Sequence, residues 1–368
     1  MALRVLLTGA GSSAAQNVLQ SLKEAPEEVF VVGVDVDPAR LELGPLDATH
    51  VVSESANADF IGDLDELACD YDIDLVVPQA DRDVQAIAAA RSQGMSTNTF
   101  LPPTSVLNLC YDKLESARRW YQLGLRSDAV HSLERPEDAE RAVRDLGLPM
   151  WVRARWGAGN RAAVRADALE EVERWASYWV CRGVAMVAHE YLPGEDYCCH
   201  SVWFEGEEVM GALRRRVPTF ADTTFDSNIH EAVEEQTVQD VARATVRASA
   251  GGRPHGIFCV DMKTAADGRV VPTEVNAGRF NTPSLFFARL GLNMPYCAVH
   301  LGVRGTPPPG VSRDAEPVDG MLWIRDLDAG PAMVHRSRLR AWARRKQGRR
   351  GEIVGEGTAK GAGGRGDE

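Results

Sequence analysis

The chain predicts a small doubly wound α/β unit followed by α+β units. Three observations carry this: a strand, glycine turn and helix at the start; alternating strands and helices to about residue 100; and strands grouped together after residue 184. Residues 4–8 are a β-rich run closed by Gly9-Ala10-Gly11-Ser12-Ser13-Ala14, and residues 15–23 continue with helical spacing. A second apolar run at 29–36 contains Asp35. A third, at 74–78, lies between helical stretches at 59–71 and 83–91, so the connections are parallel crossovers. Pro102-Pro103 punctuates the chain, and one helix is predicted over 105–123 with Asp112 and Lys113 inside it. Helices at 136–146 and 167–178 flank a strand at 149–154 and a glycine-bearing loop at 155–163. Strands at 184–191, 196–204, 208–217, 256–263 and 270–276, with a helix at 231–250, read as an antiparallel sheet. The expected divisions are 1–104, 105–183 and 184–330, with a tail at 331–368 that frays.

Composition narrows the functional classes. With 44% hydrophobic and 26% charged residues over 368, the chain is an ordinary packed globule. Residues 331–368 hold ten Lys/Arg and four Asp/Glu, leaving 31 Lys/Arg against 49 Asp/Glu in residues 1–330. So acidic a body argues against non-specific nucleic-acid binding. No apolar run approaches the ~18 residues of a membrane span, and the start reads as a buried strand rather than a secretory signal. Seven scattered cysteines without a C-x-x-C pair give neither a disulfide framework nor a zinc site, so a cytoplasmic setting is expected.

Asp261 lies on one predicted strand and Glu274-Val275-Asn276 on the next, joined by Ala265-Ala266-Asp267-Gly268. Positions 274 and 276 share a strand face, and a hairpin brings Asp261 alongside, so three oxygen donors converge. That set suits Mg²⁺, with Mn²⁺ as the alternative. The strand at 149–154 carries Arg153, with Arg155 just after it, ahead of Gly157 and Gly159, whose loop can fold backbone donors over a phosphate chain; the bland reading is a polar turn. Residues 190–197 close one strand and open another, with Glu190, Glu195 and Asp196 at a Pro193-Gly194 bend. Arg214-Arg215-Arg216 is a candidate carboxylate anchor or a solvated edge. Cys198-Cys199 read as packing.

Taken together, Asp112-Lys113, residues 149–160, residues 190–197, and Asp261 with Glu274 to Arg279 resemble the ATP-grasp superfamily. The likeness spans residues 3–305 and is nearest to carboxylate-amine ligases and the ATP-grasp halves of carbamoyl phosphate synthase. It implies a doubly wound N-terminal domain ahead of two α+β subdomains that clasp ATP. It also implies an ADP-forming ligase that joins a small carboxylic acid to an amine through an acyl phosphate. Carried over by position, Lys113 and Arg153 hold phosphates, and the 157–161 loop with Gly157 and Gly159 is a lid. Glu190 and Leu192 meet adenine through their backbones, Glu195 or Asp196 meets ribose, and Asp261, Glu274 and Asn276 bind Mg²⁺. Arg279 faces the transferring phosphoryl group or the acyl phosphate. Apart from the resemblance, Arg216 of the arginine run is the candidate anchor for the substrate carboxylate. Arg153 stands where most of the superfamily has Lys, the lid carries Arg161-Ala162 where glycine is usual, and Asn276-Ala277-Gly278-Arg279 is one residue longer than Asn-x-Arg. Small molecules are the expected partners, and a homodimer is left open.

Two other readings stand beside this one. Gly9, Gly11 and Asp35 approximate a dinucleotide fingerprint, with Ala14 in place of the third glycine, which would make the chain an NAD(P)-dependent oxidoreductase. The other is a nucleotide-binding module without chemistry, or a nucleic-acid binder working through the tail, where eight Lys/Arg in residues 336–350 could meet phosphate or an acidic membrane surface; the bland reading is a solvated, frayed terminus.

Overall fold

The computed structural model describes residues 2–125, 130–157, 162–217, 229–311, 319–325 and 332–337. Its first unit contains β1 (Leu3–Thr8), α1 (Ser13–Lys23), β2 (Val29–Asp35), β3 (Ala48–Val51), α2 (Phe60–Asp70), β4 (Leu75–Val77) and α3 (Asp81–Ser92). The strands are parallel in the order β3-β2-β1-β4. β1 and β2 are buried almost throughout, as parallel strands covered on both faces must be. Ser12 caps α1 by accepting from the Ala15 N–H.

Next come α4 (Thr104–Tyr111), α5 (Lys113–Gln122), β5 (His131–Leu133), α6 (Pro136–Leu146), β6 (Met150–Ala154), β7 (Val164–Ala166), α7 (Leu169–Val180) and β8 (Met186–Glu190). A small antiparallel sheet runs β5-β8-β6-β7. The remainder is β9 (Asp196–Phe204), β10 (Glu207–Arg216), β11 (Ile229–Ala232), α8 (Gln236–Ser249), β12 (Gly256–Thr264), β13 (Val270–Ala277), α9 (Ser284–Arg289), α10 (Met294–Arg304), β14 (Met321–Ile324) and β15 (Ala332–His335). Its seven strands pair antiparallel in the order β13-β12-β9-β10-β11-β14-β15.

Several expectations need correction. The predicted helix over 105–123 is two helices. Asp112, at φ −93° and ψ 103°, ends α4 and caps α5 by accepting from the N–H groups of Leu114 and Glu115. A carboxylate that can satisfy two orphan donors at a kink is better placed there than inside a helix. The boundary at 183/184 precedes β8, which belongs to the small sheet. Conversely, α4 and α5 share the large sheet's core: Val106, Leu114 and Trp120 pack with Val238, Val260 and Val275. Trp120 Nε1 donates to Ser249 Oγ at 3.0 Å, joining α5 to α8. Residues 229–232 form a strand before α8, and residues 332–335 of the expected tail form the sheet's edge strand; the tail from residue 338 lies outside the described residues.

One apolar core fuses the first unit to the large sheet. Val5, Leu7 and Val31 pack in the same cluster as Phe286, Phe287 and Trp323, with α9 and α10 between the sheets. No helix among the described residues is long and apolar enough to cross a membrane.

Candidate active site

β12 and β13 form the expected hairpin, and its register carries the site's arrangement. Asp261 pairs directly with Glu274, Cys198 on β9 pairs with Asp261, and Arg214 on β10 pairs with Cys198. Directly opposite residues share a sheet face, so one row runs Glu274, Asp261, Cys198, Arg214 across four strands. A neighbouring row on that face carries Asp196 and Arg216, whose Nη1 lies 3.4 Å from Asp196 Oδ2. Arg215 turns to the opposite face, where it bonds Glu231 at 2.8 Å and lies 3.6 Å from Glu195. Of the two ribose candidates, Asp196 therefore shares the face of Asp261.

Lys113, the first residue of α5, is buried. Its Nζ donates to the Gly157 carbonyl at 2.6 Å and lies 3.2 Å from Glu274 Oε1. Arg153 approaches the same carboxylate from β6: Nη1 is 3.5 Å from Glu274 Oε2, and Nη2 donates to the Thr273 carbonyl at 2.6 Å. Asp112 holds this corner together, taking a forked bond from Arg155 at 2.8, 3.0 and 2.5 Å while the Arg155 carbonyl accepts from Lys113 N–H at 3.1 Å. Burial pulls the Asp112 carboxyl upward, but the Arg155 bonds and the backbone donors of the cap outweigh it and hold it below the usual range. Asp112→Ala is expected to cost about 1–2 kcal/mol for the cap alone, read as a lower denaturation midpoint. A depressed carboxylate contributes stability above its unfolded pKa that is lost as pH falls through the folded one, so the deficit should shrink in acid.

The longer Asn276-to-Arg279 segment has a physical reason. Gly278 adopts φ +82°, and a Cβ there would meet Leu101, Val84 and Leu107 at 2.9 to 3.1 Å. The turn aims Arg279 back over β13: Nη2 donates to Asn276 Oδ1 at 2.7 Å, Nη1 to Asn281 Oδ1 at 3.1 Å, and Nε to Asp81 at the start of α3. Asn276 in turn donates from Nδ2 to Asp261 Oδ2 at 3.0 Å.

The fit of a hard divalent cation rests on this donor set. Among the described residues no three His, Cys, Asp or Glu side chains could hold a metal by themselves. Asp261 and Glu274 do lie in register, and Glu274 lines, with Lys113, Gly157 and Asn276 among others, a cavity of about 20 Å³, room for one water-sized group. Two carboxylates completed by phosphate oxygens and water suit Mg²⁺, whereas Asn276 gives its oxygen to Arg279. Burial, reinforced by Glu274, pushes the Asp261 carboxyl above its usual range despite the nearby Arg214 guanidinium. A raised acid favours the protonated folded state, and that stability is lost as pH rises through the folded pKa. A cation would offset the loss, so Mg²⁺ is expected to raise the melting temperature more at pH 7.5 than at pH 5.

The hinge between the sheets runs from Glu190, the last residue of β8, to Asp196, the first of β9. Leu192 is buried against Ala265 and Val271, and Glu190 Oε1 is 3.8 Å from Arg269. Gly157 is at φ +92°; Gly159 and the rest of the expected lid to residue 161 lie outside the described residues. At the N-terminal turn, Asp35 Oδ2 accepts from Gly11 N–H at 3.0 Å and Oδ1 from Asp37 N–H at 3.1 Å. The acid that would hold a ribose in a dinucleotide site thus braces its own turn.

Sequence reasoning missed the tie of Asp81 to Arg279, 198 residues away, and the place of Cys198 between Asp261 and Arg214. Nothing in the spacing marks either. Burial, then the Asp261 charge, lifts the Cys198 thiol well above its ordinary value, so it is no thiolate nucleophile.

The same architecture occurs in solved structures. An L-amino acid ligase from Bacillus licheniformis is 13% identical with a TM-score of 0.68, over 87% of this chain and 79% of that one. N5-carboxyaminoimidazole synthetase from Staphylococcus aureus, complexed with ADP, is 13% identical with a TM-score of 0.69, over 89% and 83%. A biotin carboxylase–β-γ-ATP complex from Campylobacter jejuni is 15% identical with a TM-score of 0.67, over 88% and 75%. No protein-family model matches the sequence, and no curated protein matches it. The chain has the ATP-grasp fold that its sequence resemblance implies, with a doubly wound domain leading.

Proposed function

We propose that the chain is an ATP-dependent ligase that joins a small carboxylic acid to an amine through an acyl phosphate, releasing ADP and phosphate. The observation that carries this reading is the register-matched Asp261–Glu274 pair set against a buried Lys113 and Arg153. An anionic carboxylate must attack an anionic γ-phosphate, so the work of the site is charge neutralisation and alignment. Lys113 and Arg153 would exchange Glu274 for phosphate oxygens, and the Glu190–Leu192 hinge and Asp196 would hold adenine and ribose. Mg²⁺ on Asp261 and Glu274 would neutralise phosphate charge. Arg279, locked by three side chains, would face the transferring phosphoryl group, and Arg216 would anchor the acid. Arg214 belongs beside it: it is buried against His230 Nδ1 at 3.1 Å, and its Nε has no hydrogen-bond partner.

In the chemistry, a carboxylate oxygen bonds to γ-phosphorus and ADP leaves. The amine nitrogen then bonds to the acyl carbon, phosphate leaves with that oxygen, and the amine's proton passes to solvent or a base. The complexes of similar structures with β-γ-ATP and with ADP support a nucleotide here. The test is ADP release with Mg²⁺ across amino acids and small acids, repeated on Lys113→Ala. ADP formation dependent on one acid and one amine, and lost in the variant, is expected; no ADP with any pair, or undiminished release from Lys113→Ala, would refute the reading. The oxidoreductase reading gains nothing from Asp35, which is committed to Gly11 and Asp37.

A further inference from the structure

Arg279 sits on the turn after β13, yet an acid of the leading unit fixes it. Its Nε donates to Asp81, the first residue of α3, 198 residues earlier in the chain. Arg279 keeps only 11% of its side chain exposed, and Asp81 24%. Burial works against the Arg279 charge, but Asp81, through its charge and its bond, leads the groups that outweigh this and hold the guanidinium above its ordinary value. An acid in the first turn of a helix is common for the dipole alone. One that reaches across a unit boundary to a buried guanidinium has a further part to play.

The same helix face braces the backbone that carries Arg279. Val84 lies one turn after Asp81 on α3, and its Cγ1 would stand 3.0 Å from a Cβ built on Gly278, so the helix packs closely against the turn. α3 also walls the site itself: Asp81, Val84 and Gln85 line the small cavity together with Lys113, Glu274 and Asn276. Beyond Arg279 the fixed orientations continue. A guanidinium only donates, so its Nη2 at 2.7 Å requires the Asn276 oxygen, and the amide nitrogen is left to face Asp261 Oδ2 at 3.0 Å. One line of bonds therefore runs from Asp81 through Arg279 and Asn276 to the Asp261 carboxylate.

We propose that Asp81 is a positioning residue, through which the leading unit orients Arg279 toward the reacting phosphoryl group and steadies Asp261 by way of Asn276. What Arg279 acts on rests on the ligase reading, but the tie itself can be read without chemistry. In the intact ¹⁵N-labelled protein, the Arg279 Nε–H signal, identified by its loss in Arg279→Lys, is expected to exchange slowly with water, and about tenfold faster or more in Asp81→Asn. In turnover, Asp81→Asn should lose ~10-fold with the ATP KM held within about twofold, and the double variant with Arg279→Lys should lose no more than Arg279→Lys alone. An acid that served only the fold would lower the melting temperature and leave both readouts unmoved. Should Asp81→Asn not fold, Asp81→Glu, which keeps the charge but lengthens the reach, is read in the same two ways. An Nε–H signal exchanging equally fast in both proteins, unchanged turnover in the folded variant, or losses that multiply in the double variant would overturn the proposal. Slow exchange at Arg279 that Asp81→Asn abolishes, with no ADP formed from any acid and amine, would count against the ligase reading instead, so the two failures are distinguishable.

Discussion

Replacing Glu274 by Gln is expected to lower ADP formation by about 10²–10³-fold, the scale seen when one preorganised charge-stabilising group is removed from an active site. Gln keeps the shape of the side chain and removes its charge. Lys113 Nζ at 3.2 Å and Arg153 Nη1 at 3.5 Å then lose their counter-ion, and Asp261 loses the partner with which it would share a cation. Breaking a fully buried pair costs about 3–5 kcal/mol; Glu274 keeps 22% of its side chain exposed, so its loss should fall below that range. Steady-state ADP release and a denaturant melt separate the two effects. Unaltered turnover in a folded Glu274→Gln protein would refute the site.

Arg279→Lys should be nearly as damaging, although it preserves charge. The guanidinium meets Asp81, Asn276 and Asn281 with three different nitrogens, a fork that a single ammonium cannot reproduce. A turnover loss of ~10²-fold with little change in the ATP KM is expected if, as proposed, the residue acts on the transition state rather than in nucleotide binding. The same variant releases Asn276 Oδ1, which Arg279 otherwise occupies. A rise in ATP KM with unchanged turnover would instead place Arg279 among the nucleotide ligands.

The hairpin was legible from residues alone: the two-residue period put Glu274 and Asn276 on one face, and the Asp267-Gly268 turn brought Asp261 alongside; the direct pairing of Asp261 with Glu274 was not, because an irregularity between Asp261 and Met262 shifts the register by one residue. The doubly wound start was legible because Gly9 sits at φ +57° between a buried strand and a capped helix, a junction with a strong local signature. The helix break at Asp112 was not, since a carboxylate inside an amphipathic run does not announce that it will cap. Nor was the transfer of β8 to the small sheet, because strand partners separated by tens of residues leave no local trace. Arg279's tie to Asp81 lies further out of reach. It arises where the first unit folds against the large sheet, and side chains that meet only through tertiary packing carry no periodicity.

Isotope tracing addresses the central chemistry most directly. Amino acids labelled with ¹⁸O in the carboxylate, incubated with the protein, ATP and Mg²⁺, should deliver one ¹⁸O into each inorganic phosphate released, with ADP as the only nucleotide product. Label appearing in AMP alongside pyrophosphate, or unlabelled phosphate accompanying amide formation, would contradict it.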